Sequence, residues 1–209
     1  MRIRIFFEKT EAMRFTGHLD LHKTWERTFR RTGLPLAYSQ GFHPQPRLNL
    51  ACALPLGFTS QAEIIDAWLE TGFSLQEIQT ALEQASPPGI KVQSIGEVDP
   101  HSPALQTQVK SVEYDIHIKQ PVLDLQERID ILLTSPSLPR VWREKTYDLR
   151  PLVEHLELLP GTSEYPARIK TRLSARQGAT GRPEELLSAL GIPTNQAIVH
   201  RTSILMQSS

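Results

Sequence analysis

Val112-Glu-Tyr-Asp-Ile-His-Ile118, followed by Asp124-Leu-Gln-Glu127 and then Ile129 and Leu132, restarts a pattern that the first half of the chain has already run. Val112, Tyr114, Ile116 and Ile118 alternate with Glu113, Asp115 and His117, the period of two that predicts a half-buried strand. Asp124-x-x-Glu127 has the form of a capping box, and Leu125, Ile129 and Leu132 make the apolar stripe of the helix behind it. Upstream, Arg2 to Phe7 reads as a strand, 17–32 as a helix, and parts of 47–54 and 62–70 as two strands. Ser74-x-x-Glu77 caps a helix to Ala85 that carries Leu75, Ile78 and Leu82; Ser86-Pro-Pro-Gly89 stops it, and Ile90 to Val98 is a strand. The order is βαββαβ. Residues 99–108, poor in apolar side chains and carrying two prolines, read as a linker.

After the restart, 140–160 is less regular and holds a strand ending near Tyr147-Asp-Leu-Arg-Pro151. Ala167, Ile169, Thr171 and Leu173 then alternate with Arg168, Lys170 and Arg172, Pro183 opens a helix with Leu186, Leu187 and Leu190, and 197–206 closes the chain as a strand. The expectation is an α+β protein of tandem ferredoxin-like (βαββαβ) subdomains, 1–98 and 109–209, each with two helices on one face of an antiparallel sheet.

The 209 residues carry 23 basic and 23 acidic side chains, but the balance is uneven along the chain. Residues 1–50 hold nine Lys/Arg against four Asp/Glu, 51–135 four against twelve, and 136–209 ten against seven, for net charges of +5, −8 and +3. A basic and an acidic face could therefore coexist, although mixed surface charge is ordinary. Arg27, Arg30 and Arg31 on the first helix and Arg168, Lys170 and Arg172 on the late strand are the densest cationic runs. Side chains two apart on a strand step by roughly 7 Å and could follow a nucleic-acid backbone; the plainer reading is a solvated outer face. The single cysteine, Cys52, excludes an internal disulfide framework. Met1 runs directly into the alternating Arg2-Ile-Arg-Ile5, with no leader pattern, and no apolar run approaches the roughly 20 residues that span a bilayer. A soluble, cytoplasmic protein without a membrane partner is expected.

Residues 14–47 hold more specialised polar residues than folding requires. Thr16 and Gly17 open the first helix, Asp20 lies in its first turn, and Gly33 with Pro35 closes it. Leu21, Trp25 and Phe29 form its buried stripe. Then comes Tyr38-Ser-Gln-Gly-Phe-His-Pro-Gln-Pro-Arg47, neither helix nor alternating strand, rigidified by Pro44 and Pro46. Arg14, His18, Asp20, Tyr38, Ser39, Gln40, Gly41, Phe42, His43 and Arg47 are the candidate binding residues, with Arg14, His18 and His43 expected to line one concavity.

The series His18-Leu-Asp-Leu21, basic helix, Gly33-Leu-Pro-Leu-Ala-Tyr-Ser-Gln-Gly-Phe-His-Pro-Gln-Pro-Arg47 and Ala53-Leu-Pro-Leu-Gly57 resembles the radical SAM-linked protein family. Tyr147-Asp-Leu-Arg-Pro151 and Val199-His-Arg-Thr202 agree more loosely, and together these pieces span nearly the whole chain. That family is a domain of unknown function found beside, or fused to the C-terminal end of, B12-binding radical SAM proteins. The resemblance implies a radical SAM partner, separate or fused, and points to RNA as the shared subject. It supplies no catalytic residue.

The chain itself has no Cys-x-x-x-Cys-x-x-Cys cluster, phosphate-binding loop, dinucleotide fingerprint or Gly-x-Ser-x-Gly, so neither radical chemistry nor a cofactor is expected within it. Cys52, inside Leu50-Ala-Cys-Ala-Leu54, reads as a small buried hydrophobe. His18, His22 and His43 could ligate zinc, but Asp20 points away from the shared histidine face, and no metal is expected. Two functions stay open. One is a noncatalytic accessory domain that recognises RNA or a peptide for a radical SAM enzyme. The other is a metal-independent endoribonuclease with His18 and His43 as general acid and base and Arg14 or Arg47 stabilising the phosphorane.

Overall fold

Arg2-Ile-Arg-Ile-Phe-Phe7 forms a strand because every second side chain has a core to enter: β1 (Arg2–Lys9) buries Ile3, Ile5 and Phe7. The computed structural model describes residues 1–70, 72–142 and 144–207. The chain divides into two units, Met1–Gln108 and Val109–Ser209. No helix among the described residues is long and apolar enough to cross a membrane.

In the first unit β1 is followed by α1 (His18–Thr32), β2 (Leu48–Leu50), β3 (Thr59–Trp68), α2 (Leu75–Ala85), β4 (Ile90–Val98) and the short α3 (Leu105–Gln108). The strands pair antiparallel in the order β2-β3-β1-β4. Leu21, Trp25 and Phe29 of α1 and Ile78 and Leu82 of α2 pack with Ile3, Ile5, Phe7 and Ile65 of the sheet. Trp25 meets Phe7 edge-on at 4.8 Å between ring centroids. Gly33 ends α1 in the left-handed conformation, and the Ser74 and Glu77 box forms in both directions. Gly89, at φ +100°, lets the chain turn into β4; a Cβ there would sit 2.5 Å from Met13 Cγ.

The segment 99–108 belongs to this unit rather than to an open linker. Leu105 is fully buried, and the Arg2 guanidinium donates to the carbonyls of Ser102 at 2.7 Å and Pro103 at 2.9 Å. Composition concealed this because the groups that hold the segment are backbone oxygens, which every residue carries.

The second unit runs β5 (Val109–Ile118), α4 (Leu125–Thr134), β6 (Pro139–Trp142), β7 (Lys145–Asp148), β8 (Val153–Pro160), β9 (Ala167–Arg176), β10 (Ala179–Thr180), α5 (Pro183–Ala189) and β11 (Ala197–Met206). β5 lies between β9 and β11, and β9 takes β8 and the end strand β10 on its other side, all antiparallel. Val112, Tyr114, Ile116 and Ile118 are buried as the alternation requires, as are Leu125, Ile129 and Leu132 of α4 and Leu186 and Leu187 of α5. β6 and β7 form a separate two-stranded hairpin inserted between α4 and β8. The described chain is thus α+β with antiparallel pairing.

One local expectation fails. Asp124 precedes α4 with φ +55°, in the left-handed region, and its side chain makes no cap hydrogen bond. A cap needs extended backbone to aim its oxygen at the freed amides, and the turn after Pro121 takes Asp124 elsewhere.

Candidate recognition surface around the Ser39–Gln45 loop

Residues 36–47 fold back on themselves as a narrow ribbon. Its base is fixed by Leu36 bridging Leu69, by Ala37 N–H donating to Trp68 O at 2.7 Å, and by Arg47 N–H donating to Ala37 O at 2.8 Å. Tyr38 bridges Pro46, Ser39 N–H donates to Gln45 O at 2.8 Å, and Gln45 N–H donates to Ser39 Oγ at 3.0 Å. Pro46 has no N–H to lose, and Gly41 at φ +131° supplies the conformation the tip needs. The tip, residues 39–45, is therefore held at both sides yet projects outward. Phe42 is fully exposed and Tyr38 half exposed.

Beneath the ribbon is an open depression of about 270 Å³ lined by Ser39, Gln45, Arg47, Asn49 and Trp68. Arg47 stacks on the Trp68 ring at 4.7 Å, and Arg2 stacks on the same ring at 5.0 Å. Asp66, wholly inaccessible, accepts from Arg2 Nη2 at 2.7 Å and from Arg4 Nε at 2.8 Å. One carboxylate thus faces two guanidinium groups, while Arg47 has no carboxylate partner among the described residues. Arg2, Asp66 and Trp68 were not among the sequence candidates. The available signal was a lone Asp inside the apolar run Ile64-Ile-Asp-Ala-Trp68, opposite a strand that begins Arg-Ile-Arg.

The structure brings Ser39 and Arg47 of the candidate set together in this lining; Arg14, His18 and His43 do not line it. Arg14 Nε donates to Gly57 O at 2.8 Å, and its guanidinium lies 3.6 Å from Glu11, tying the start of α1 to the Leu54–Gly57 turn. His18 is the first residue of α1, half-buried, and Asp20 is exposed in the first turn. Gln40, Gly41, Phe42 and His43 are exposed on the tip. His22 is occupied structurally, its Nδ1 at 3.0 Å from Glu26 and its Nε2 at 3.2 Å from Leu48 O.

The two cationic runs differ in how far they are already paired. Arg27 and Arg30 are exposed on α1, whereas Arg31 donates to Ala85 O at 3.1 Å and so caps the end of α2. On β9 the stripe faces an acidic one. Arg168 is bound by Asp115, which raises its already high pKa, and Arg172 donates to Glu113 at 2.7 Å; Lys170 is exposed. Register explains this, since Glu113 is directly opposite Arg172 on the neighbouring β5, and Asp115, opposite Lys170, reaches Arg168 on the diagonal. The two runs lie in different units.

No curated protein matches the sequence. Among solved structures, a chain of a Cbf5-Nop10-Gar1 complex aligns with a TM-score of 0.50 at 12% identity, covering 97% of this chain and 48% of that one. A chain of the archaeal box H/ACA sRNP Nop10-Cbf5 complex aligns with a TM-score of 0.44 at 12% identity, covering 95% and 46%. The protein spans about half the length of these chains, and at such identity the likeness bears on fold alone. A family described as an uncharacterized protein conserved in bacteria (DUF2344) matches residues 2–183, and the chain belongs to that family.

Proposed function

We propose that this protein, built of tandem ferredoxin-like units, is a noncatalytic recognition factor that holds single-stranded RNA for a radical SAM enzyme, a separate or fused partner. One observation carries the reading: the ribbon Tyr38 to Arg47 presents two exposed rings, an imidazole and, at its base, an exposed guanidinium with no carboxylate partner among the described residues, and the segment itself holds no carboxylate. Exposed rings beside arginine are what sequence-tolerant binding of single-stranded nucleic acid uses, the rings stacking on bases and the cation meeting phosphate. A peptide would be served by the rings too, but Asp66, the carboxylate beside Trp68, is already shared by two arginines while Arg47 is exposed, which favours a polyanion. The radical SAM partnership rests on the resemblance of His18–Leu21, Gly33–Arg47 and Ala53–Gly57, and the chain holds no cysteine cluster for that chemistry.

The test is filter binding of short single-stranded RNA to the intact protein. Phe42→Ala and Tyr38→Ala should each weaken binding by about 1–3 kcal/mol, and Arg47→Ala should flatten the log–log salt slope by about 0.7. RNA that does not bind, or binding unchanged in all three variants, overturns the RNA assignment. The same incubations in EDTA should leave the RNA intact; cleavage abolished by His43→Ala would favour the acid–base reading instead.

A further inference from the structure

We infer that the concavity between the β6–β7 hairpin and the β9–β10 turn of the second unit is a binding site for a nucleoside monophosphate, free or as a unit of RNA. This site lies in a different unit from the Ser39–Gln45 loop and stands independently of the function proposed for it.

The hairpin pairs with no other strand among the described residues, and a lone two-stranded hairpin is marginal without something to pack on. Its register puts Trp142 opposite Lys145 and Arg140 opposite Tyr147. Cross-strand partners share a face, and so do residues two apart, so these four side chains project to the same side. Trp142, Lys145 and Tyr147 of that side, with Asp148 at the end of β7 and with Thr180 and Arg182, line an open cavity of about 410 Å³. The volume falls within the roughly 300–1,000 Å³ of small-molecule sites.

The chemistry of the lining selects the ligand. Arg182 stacks 4.2 Å from the centroid of the Trp142 ring, while Trp142 as a whole remains 39% exposed. Lys145 has no carboxylate partner among the described residues, and it is exposed. Asp148 is the one carboxylate in the lining, and it is committed elsewhere. It accepts from the backbone N–H of Leu138 at 2.7 Å and of Arg150 at 3.0 Å, bonds that hold its pKa below the usual value. Burial pushes the Tyr147 phenol up, Glu185, outside the lining, adds to that shift, and the neighbouring Arg182 guanidinium opposes it without reversing it. Tyr147 is thus a neutral hydroxyl at ordinary pH. A wall of indole, phenol, ammonium and guanidinium, with its carboxylate already satisfied, suits a flat ring carrying a phosphate. The base stacks on the guanidinium plane that Arg182 lays over the indole, and the phosphate meets Lys145.

A purely structural reading says that Arg182 merely pins the hairpin, so Lys145 is the discriminating residue, because nothing in the fold depends on its charge. The intact protein is titrated with AMP, GMP, CMP and UMP, with inorganic phosphate, and with uncharged nucleosides, following the Trp142 indole N–H by NMR. Saturable binding of the monophosphates is expected, stronger than that of phosphate or nucleoside alone. Lys145→Met and Trp142→Leu should weaken it roughly tenfold or more, with thermal unfolding unchanged in Lys145→Met. Phe42→Ala should leave it intact, which separates this site from the loop. Short oligoribonucleotides that compete better than monophosphates identify RNA as the source, and competition by monophosphates only identifies the free nucleotide. No binding at millimolar ligand, phosphate binding as well as the nucleotides, or an unaffected Lys145→Met overturns the assignment.

Discussion

Two carboxyls of the second unit, Asp148 and Glu184, are shifted in opposite directions by the same fold. Backbone N–H groups of Leu138 and Arg150 bond the Asp148 carboxylate and hold its pKa down. Burial penalises the Glu184 charge and pushes its pKa up, and its Oε2 has no hydrogen-bond partner among the described residues. Folded Asp148 releases its proton at lower pH than it does unfolded. Its contribution to stability is therefore present above the unfolded value and is lost as pH falls through the folded one. For Glu184 the folded form binds the extra proton, so stability is highest below the unfolded value and declines as pH rises to the folded value. Asp148→Asn should lower the urea midpoint at neutral pH and flatten the acid limb of the stability curve. Glu184→Gln should raise the neutral midpoint and leave the acid end unchanged. Urea titrations from acid to neutral pH read both; a neutral midpoint that drops in Glu184→Gln would show that the carboxylate is doing something other than enduring burial.

At the scale of elements, the two helices with Asp/Ser-x-x-Glu starts are built differently. Ser74 accepts from Glu77 N–H, and Glu77 returns the bond to Ser74 N–H at 2.9 Å. Asp124 makes no such bond and sits at φ +55°. Ser74→Ala should therefore cost about 1 kcal/mol. Asp124→Gly should hold or raise stability, because glycine adopts positive φ without a Cβ penalty. Chemical denaturation of the two variants checks this, and a loss at Asp124→Gly as large as at Ser74→Ala would restore the capping role. The same contrast explains the legibility of helix starts. Residue type says which side chain is able to cap, but the backbone angle that aims it is set by what the preceding turn must connect.

Across the whole molecule, part of the balanced charge is paired locally and part is left exposed. The β9 arginines face Glu113 and Asp115, and Arg2 and Arg4 share Asp66, whereas Arg27, Arg30 and Arg47 keep exposed charge. Arg168→Glu with Arg172→Glu should therefore destabilise the protein, setting like charges side by side on β5 and β9, while leaving the salt dependence of the proposed RNA binding nearly unchanged. Thermal unfolding and filter binding across salt measure the two effects. A slope that falls by about 0.7 for each arginine would transfer the phosphate contacts to β9.

The sequence alone determined the strands and helices whose side-chain period matches a buried face: β1, α1, α2, β4, β5, α4, β9 and β11 follow from where Ile, Leu, Val and aromatics recur. That is physical rather than fortunate, since an amphipathic segment has one low-energy way to bury its apolar side. It also singled out Tyr38–Arg47 as excess polar and ring chemistry on a turn. Tertiary structure decided which of those residues meet. Ser39 and Arg47 share a depression with Trp68, while Arg14 is spent on Gly57 and Glu11. It alone decided that 99–108 is held by Arg2, that Asp66 lies between two guanidiniums, and that a hairpin at 139–148 walls a cavity with Arg182. Those contacts join residues far apart in the chain through backbone carbonyls and cross-strand register, and neither leaves a periodic mark in the order of amino acids.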